Sequence, residues 1–243
     1  MPKASKRSKK SKNHNNRKNS VKRNNTQNSF NTNNKFKKIK LFETTDSSYP
    51  DKYSIVNYNE IFPLKKYKFY DFWVYGPNKL DFLSKYYGKD IWTMGKRDHD
   101  NGDKFSINGF NYPANINLSS SGCSQTKPRC IFWNKPNYFT PSCCARNLTN
   151  LLYHLKTVFE KNNIKYFIYY GTLIGSVRHG GIIPWDTDID VHIFESDFPK
   201  LISLKNELEK TGHHLVKASD RLYRLNCSKL NELHIDIFSA ICF

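Results

Sequence analysis

Three aspartates stand at alternate positions in one short segment of this chain. Asp186, Asp188 and Asp190 are separated by single residues, and the apolar Ile189 and Val191 follow the same alternation. Because side chains of a β-strand alternate between its faces, this spacing predicts three carboxylates on one face and apolar side chains toward the core. Neighbouring carboxylates repel one another, so such a row indicates a bound cation. An oxygen-only ligand set favours Mg²⁺ or Mn²⁺.

Two further elements extend this candidate site. Asp236 lies in an alternating segment, residues 234–238, and we expect it to serve as a metal ligand or as the base for an incoming hydroxyl. Gly171 and Thr172 stand where an apolar strand pattern gives way to a helical one, and free backbone N–H groups at a helix start favour a phosphate. Taken singly, each signal is modest and is more typical of a solvated surface residue. Together they are the parts that phosphoryl transfer requires.

The elements around these residues predict an α/β (α+β) fold. Apolar residues at helical spacing predict an amphipathic helix from Ala145 to about Asn162, and residues 197–210 predict a second one. Strands are predicted at residues 166–170, 188–194 and 233–238. We therefore expect a nucleotidyltransferase-like mixed sheet flanked by helices.

The front half of the chain has a different character. Residues 53–92 are dense in aromatic side chains and predict short strands that end at the Gly76-Pro77-Asn78 turn, then a helix that stops before Gly88. Residues 93–142 lack periodicity and are predicted to be loop. The chain is accordingly divided into a disordered tail (1–45), an aromatic segment (46–109), a cysteine-containing loop region (110–144) and the nucleotidyltransferase-like core (145–243).

The basic character of the chain belongs to its start. Of the net charge of +18, the first 40 residues supply 14 Lys and Arg and no acid, so the rest carries only about +4. A Lys/Asn/Ser-rich tail lacks the apolar surface that would offset its ordering entropy, so we expect it to be disordered. It either binds a polyanion, such as nucleic acid or an anionic surface, or is a solubilising spacer. No apolar run is long enough for a signal peptide or transmembrane helix, which predicts a soluble, cytoplasmic protein.

Four cysteines form a second candidate metal site. Cys123, Cys130, Cys143 and Cys144 lie within one Pro/Ser/Asn-rich stretch, and thiolates gathered by a loop could hold a structural Zn²⁺. The alternative is that they are reduced thiols, since the expected compartment disfavours disulfides.

The order of these motifs resembles the LicD/fukutin family. The segment from Tyr170 to Gly181 running into residues 183–190 is similar to the family signature, and the Cys143-Cys144 pair resembles its eukaryotic members, one of which uses cysteines for zinc. The resemblance implies a DNA polymerase beta-like nucleotidyltransferase that moves phosphocholine or ribitol phosphate from a CDP-linked donor to a glycan or glycolipid hydroxyl. It implies Asp188 and Asp190 as metal ligands, and Gly171, Thr172 and Arg178 as the residues that face the donor phosphates.

One departure from the family concerns order along the chain. Residues 61–92 resemble a block that the family carries after the strand of the Asp236 type, but here it comes first. The chain is then either a permuted single domain, which we favour, or a rearranged remnant. A single domain requires this block to pack on the acidic strands through five side chains: Phe62, Leu64, Phe69, Trp73 and Tyr87.

Three functions follow as hypotheses. The first is the metal-dependent transferase that the resemblance implies. The second is a non-catalytic or regulatory module that is tethered by its basic tail, and the third is a polynucleotide-modifying nucleotidyltransferase. The family signature and the near-neutral charge outside the tail favour the first.

Overall fold

A mixed seven-stranded sheet lies at the centre of the structure, a computed structural model that describes residues 37–43, 53–96, 104–107 and 140–243. The strands in chain order are β1 (Lys38–Phe42), β2 (Tyr53–Asn57), β3 (Lys65–Phe69), β4 (Phe72–Gly76), β5 (Met94–Lys96), β6 (Lys104–Ser106), β7 (Tyr166–Ile168), β8 (Asp188–Phe194), β9 (His214–Ser219), β10 (Leu222–Asn226) and β11 (His234–Cys242). The helices are α1 (Tyr58–Ile61), α2 (Asp81–Tyr87), α3 (Ser142–Lys161), α4 (Tyr170–His179), α5 (Phe198–Ser203) and α6 (Lys205–Glu209).

The sheet is built around β8 and β11, which run parallel to each other. Five strands follow the order β2-β1-β11-β10-β9, while β7 pairs with β8 and β8 pairs with β11. Every other pairing in this sheet is antiparallel. The predicted α/β class with one mixed sheet is confirmed.

Helix α3 carries the longest apolar face of the described fold. Its Leu148, Leu151 and Leu155 are fully buried, in agreement with the predicted amphipathic helix, although α3 begins at Ser142, three residues earlier than expected. The second predicted helix is interrupted. Helix α5 ends at Ser203 and α6 begins at Lys205, and the Ser203 hydroxyl donates to the carbonyl of Lys200, 2.7 Å away.

The aromatic block of residues 61–92, called the front block from here on, packs into the same core as the acidic strands. Phe62 stacks on Phe194 of β8 with ring centroids 5.8 Å apart, and Phe82 stacks on Tyr169 at 5.1 Å. Phe69 is fully buried, whereas Leu64 and Tyr87 are half-buried. The expectation of a buried Trp73 is wrong, because the side chain is 54% exposed. It alternates with the buried Val74 and so takes the outer face of the β3–β4 hairpin.

Strand β1 corrects the predicted boundary of the tail. Residues 38–42 were expected to be disordered, but Ile39 and Leu41 are fully buried and β1 pairs with both β2 and β11. The backbones of Lys38 and Phe243 exchange two hydrogen bonds, at 3.3 Å and 3.1 Å. Composition obscured this strand because its alternate lysines resemble those of the tail. Residues 1–36 lie outside the described part of the chain.

The predicted loop over residues 93–142 contains one described exception. Strands β5 and β6 pair in an antiparallel hairpin, and most of the remaining segment lies outside the described residues. Among the helices that the structure describes, none combines the length and the apolar character needed to cross a membrane.

Candidate active site

The parallel register of β8 and β11 brings two carboxylate-bearing strands together. Asp188 pairs with His234, and Asp190 pairs with Asp236. Because both strands continue into the core through buried isoleucines and valines, the polar side chains collect on the other face. The structure therefore brings Asp188 and Asp190 together with Asp236, which lies on a separate segment of the sequence.

Asp186 does not belong to the strand, contrary to the predicted row of three. It precedes β8 in a turn in which its amide donates to the carbonyl of Ile183 at 2.9 Å. Its carboxyl group still reaches the cluster, since it hydrogen-bonds to Asp188 and accepts from the Thr187 amide at 3.0 Å. The fourth carboxylate thus joins the site through a turn and not through strand alternation.

The electrostatics of the cluster indicate a deficit of positive charge. Burial, and then the nearby charge of Asp188, raises the pKa of both Asp186 and Asp190 well above the usual value of an aspartate. Burial would also raise the pKa of Asp236, but hydrogen bonds from His234 and Arg224 outweigh it and lower that pKa. A cation would relieve the repulsion around Asp186 and Asp190. The donor set accordingly fits a metal ion.

His234 is a site residue that the sequence interpretation missed. The ligand atoms of Asp188, His234 and Asp236 all lie within 4.8 Å of one another, so this buried group could hold a metal ion. Nδ1 of His234 lies 2.7 Å from the carbonyl of Glu232, which only accepts, so the proton must sit on Nδ1. Nε2 faces Oδ1 of Asp236 at 3.6 Å, and a metal ion bound there would take the place of the Nε2 proton. The signal was available, since His234 and Asp236 stand two residues apart on one strand.

Helix α4 begins directly against the acidic residues. Gly171 is its second residue, and a Cβ at this position would lie 2.6 Å from Oδ2 of Asp186. Only a glycine allows the helix start to approach a carboxylate this closely. Thr172 uses its hydroxyl to accept the amide of Asp190 at 2.7 Å, so it ties the helix to β8. The helix start that was predicted to face phosphates is therefore fixed beside the carboxylates.

Arg178 has more partners than a phosphate ligand alone requires. Its NH1 donates to the carbonyls of Ile91 and Met94 at 2.6 Å and 3.0 Å, and its guanidinium lies 5.6 Å from the ring centre of Trp185. These contacts hold the short 3₁₀ helix Lys89–Trp92 and strand β5 against α4. The charge of the guanidinium offsets a small part of the rise in the pKa of Asp186 that burial and Asp188 cause.

A pocket of about 410 Å³ opens between α4 and the front block. Gly171, Arg178 and Asp186 line one wall, while Tyr87 and Lys96 lie among the residues of the other. The pocket thus reaches the carboxylate cluster at Asp186, with cationic side chains at the same cavity. A phosphate-bearing ligand matches both features.

The two cysteines at the start of α3 are oxidised. Cys143 and Cys144 are both disulfide-bonded, and a disulfide sulfur offers no thiolate to zinc. In this state neither of the two can serve in the predicted zinc site, and they are not the reduced thiols of the alternative either. Cys123 and Cys130 lie outside the described residues, while Cys227 and Cys242 are free.

A carboxylate cluster on central strands beside a helix start that follows a short strand defines a nucleotidyltransferase-type site. Residues 163–242 match the family model described as LicD/FKTN/FKRP, nucleotidyltransferase domain. This part of the chain, which holds α4, β8 and β11, is therefore similar to the LicD/FKTN/FKRP nucleotidyltransferase domain family.

Curated relatives agree with that family. The chain is 31% identical over 131 residues to ribitol 5-phosphate transferase FKRP of Mus musculus, covering 48% of this chain and 26% of the relative. The Homo sapiens protein of the same name is 30% identical over the same shares. Lipopolysaccharide cholinephosphotransferase LicD of Haemophilus influenzae is 33% identical over 73 residues, 30% of this chain and 28% of the relative. The chain thus spans only about a quarter of the length of these relatives.

Proposed function

We propose that this chain transfers a phosphorylated alcohol from a CDP-linked donor to a hydroxyl group of a glycan or glycolipid, in a reaction that depends on Mg²⁺ or Mn²⁺. One observation carries the proposal: the start of α4 lies against Asp186 and Asp190, and its Gly171 lines an open pocket together with Asp186. The family match and the transferase relatives support the reaction class.

The site residues would have two tasks, to bind the metal ion and to orient the donor. A bound divalent ion would neutralise phosphate charge and polarise the phosphoryl group. Asp188 and Asp190 are proposed as its carboxylate ligands, and the N–H groups at Gly171 would orient the donor phosphates. Asp186, hydrogen-bonded to Asp188, would steady that carboxylate or join it as a ligand.

Asp236 suits the role of a ligand better than that of a base. An effective general base has a pKa near the working pH, whereas His234 and Arg224 hold the pKa of Asp236 below the usual aspartate value. Its carboxylate would therefore remain ionised and bind the cation throughout the physiological range. Nε2 of His234, oriented by the Glu232 carbonyl, would join it as a ligand after losing its proton, and the charge of the ion would then replace the His234 hydrogen bond to Asp236. A nitrogen ligand favours Mn²⁺ over Mg²⁺ in this set.

Arg178 is proposed to act mainly as a structural support for the donor pocket. Its two backbone contacts fix the wall that carries Lys96, and its charge adds to the cationic side of the cavity. We propose that Lys96 and Arg178 together compensate the donor diphosphate charge that the metal ion leaves.

The test is a calorimetric titration of Mn²⁺ and of Mn²⁺ with CDP, UDP or GDP, followed by release of CMP from CDP-ribitol and CDP-choline. We expect Mn²⁺-dependent binding that is strongest for CDP and that is lost in Asp188→Asn. Asp220→Asn is the matched control, because that carboxylate is exposed and pairs only with Lys217 in the contacts described. Equal Mn²⁺ binding by Asp188→Asn and the wild type would refute the metal assignment. Binding of no nucleotide would favour the non-catalytic hypothesis.

A further inference from the structure

The tip of the β3–β4 hairpin touches the turn that leads from α4 to the acidic strand. The hydroxyl oxygen of Tyr70 accepts the amide of Ile182 at 3.2 Å, and the Tyr70 amide donates to the carbonyl of Gly180. A third bond joins the hairpin to α4 itself, because the Ser176 hydroxyl donates to the carbonyl of Lys68 at 2.7 Å. The front block therefore holds the α4–β8 connection from outside the pocket.

Tyr70 is held in an unfavourable backbone conformation to make these contacts. Its φ is +52°, in the left-handed region that a bulky residue rarely adopts. Such a conformation persists where surrounding contacts determine it, and it is frequent at sites that position functional groups. A hairpin tip with no role in the site would more simply carry glycine or asparagine here.

The turn is shaped to receive this side chain. Gly180 ends α4 with φ +70°, and a Cβ on Gly181 would lie 2.3 Å from the ring of Tyr70. The ring therefore closes over the backbone of Gly181 at a distance that leaves no room for any side chain. The close fit indicates that ring and turn form one unit.

This unit lies at one end of a continuous path of chain and contacts that runs from the turn to Asp186 and back along α4. From Gly181 the chain runs through Ile183 to Asp186, whose carboxylate meets Gly171 at the start of α4. Helix α4 then returns to Gly180. Because α4 is a rigid element, fixing the turn at one end fixes where Asp186 stands against the helix start at the other.

We propose that Tyr70 is a positioning residue that sets the carboxyl group of Asp186 against the start of α4, and that it does so without contacting the substrate. Tyr70 is not among the residues that line the pocket. The proposal rests on the proposed function, since it assigns the front block a part in assembling that same site. It also gives the two consecutive glycines of the signature a physical reason.

Tyr70→Phe is the direct test, because it removes one hydroxyl and keeps the ring. Tyr67→Phe is its matched control: the same hairpin loses one hydroxyl bond, from Tyr67 to the carbonyl of Pro77 at 2.6 Å, and that bond does not involve the turn. Two readouts are needed: the affinity for Mn²⁺ with CDP, and amide hydrogen exchange across residues 180–190. Gly181→Ala, which displaces the ring, provides a second variant.

We expect Tyr70→Phe to weaken Mn²⁺–CDP binding on the order of 10-fold, as for residues that orient metal ligands, while its melting temperature stays close to that of Tyr67→Phe. Exchange should accelerate at Ile182, by about 2–10-fold for one lost hydrogen bond, and also at Thr187. Faster exchange at Ile182 alone, with unchanged affinity and unchanged Thr187, would overturn the proposal and leave Tyr70 a merely structural residue.

Failure of the proposed function would look different. If the wild type bound neither Mn²⁺ nor CDP, the transferase proposal would fall, whereas the positioning of Asp186 would still be judged from exchange at Thr187, whose amide donates to that carboxylate. Acceleration there in Tyr70→Phe and Gly181→Ala, but not in Tyr67→Phe, would support the positioning role. Equal protection in all three would contradict it.

Discussion

Nε of Arg224 donates to Oδ1 of Asp236 across neighbouring strands at a distance of 2.7 Å. The most deeply buried carboxylate of the site thus already has a cationic partner inside the protein. Within the described part of the chain, Asp186, Asp188 and Asp190 make no such ion pair, and burial and mutual repulsion raise the pKa values of Asp186 and Asp190. The need for a metal ion is therefore greatest on the side of the cluster that faces α4.

Replacing Arg224 by methionine should destabilise the protein, because it leaves Asp236 buried without its ion-pair partner. We expect a loss of about 2–3 kcal/mol in the free energy of unfolding, less than the ~3–5 kcal/mol of a fully buried pair, since about a third of the Arg224 side chain is exposed. Urea denaturation gives this value. Mn²⁺ should raise the melting temperature of Arg224→Met more than that of the wild type, because the ion replaces the lost charge. Equal shifts would show that Asp236 does not meet the metal ion.

Because His192 is buried, we expect the protein to lose stability on mild acidification. Burial lowers its pKa to about 3 from 6.5, and the ring stacks between Phe167 and Phe238. Below pH 6.5 His192 binds a proton in the unfolded chain but not in the folded protein. Stability is therefore lost as the pH falls from 6.5 toward 3. Between pH 7 and pH 5 this costs about 2 kcal/mol.

The comparison of His192→Phe with the wild type isolates this effect. Asp186 and Asp190, whose pKa values are raised, act in the opposite direction over part of the same range, so only the difference between the two proteins is diagnostic. Urea unfolding at pH 7 and pH 5 should show a smaller acid-dependent loss in the variant. Parallel losses would mean that another group controls the acid sensitivity.

We expect β1 to limit how many residues can be removed before the strand without loss of stability. Removing residues 1–36 should leave the melting temperature unchanged and should reduce binding to heparin or another polyanion at low salt, since most of the basic tail is removed. Removing residues 1–42 also deletes Ile39 and Leu41, whose burial contributes roughly 1.5–3 kcal/mol each. Thermal melts of the two truncations test this limit. A cooperative, undiminished melt of the longer truncation would show that β1 is dispensable.

The front block should be part of the cooperative fold. Phe62→Ala removes a buried ring that stacks on Phe194, and we expect a loss of about 3–5 kcal/mol. Trp73→Ala, in the same block but exposed, should change stability by no more than about 0.5 kcal/mol. Chemical denaturation of both variants distinguishes a shared core from a separate lobe, for which Phe62→Ala would leave the melting of the acidic strands unchanged.

The sequence could predict those elements whose periodicity is complete within the segment itself. Helix α3 and strand β8 each carry an uninterrupted apolar pattern, and the predicted strand at 188–194 has the observed bounds. Strand β1 was missed because five residues in a basic context give little local signal, and its stability comes from pairing with β11, about 200 residues away. Long-range pairing of this kind leaves no mark on local composition.

The candidate site shows the same difference between what a local pattern predicts and what depends on long-range pairing. Strand alternation predicted Asp188, Asp190 and Asp236, whereas the contact between Asp188 and His234 depends on the parallel register of β8 and β11, which no local pattern encodes. Arg178 was assigned to phosphate from its charge and the family signature, but its two backbone partners, Ile91 and Met94, lie more than 80 residues earlier in the chain. Tyr70 could not be anticipated, since its role arises only where the hairpin meets the signature turn.

The paired backbones of Lys38 and Phe243 bring residues 37 and 243 close together. A short peptide joining residue 243 to residue 37 would span hydrogen-bonded neighbours, so closing that junction would cost only the small conformational entropy of a short loop. New ends could then open elsewhere without moving β8, β11 or α4. The order in which a gene encodes these blocks is thus nearly independent of the architecture they form. Selection on the site need not preserve that order over evolutionary time.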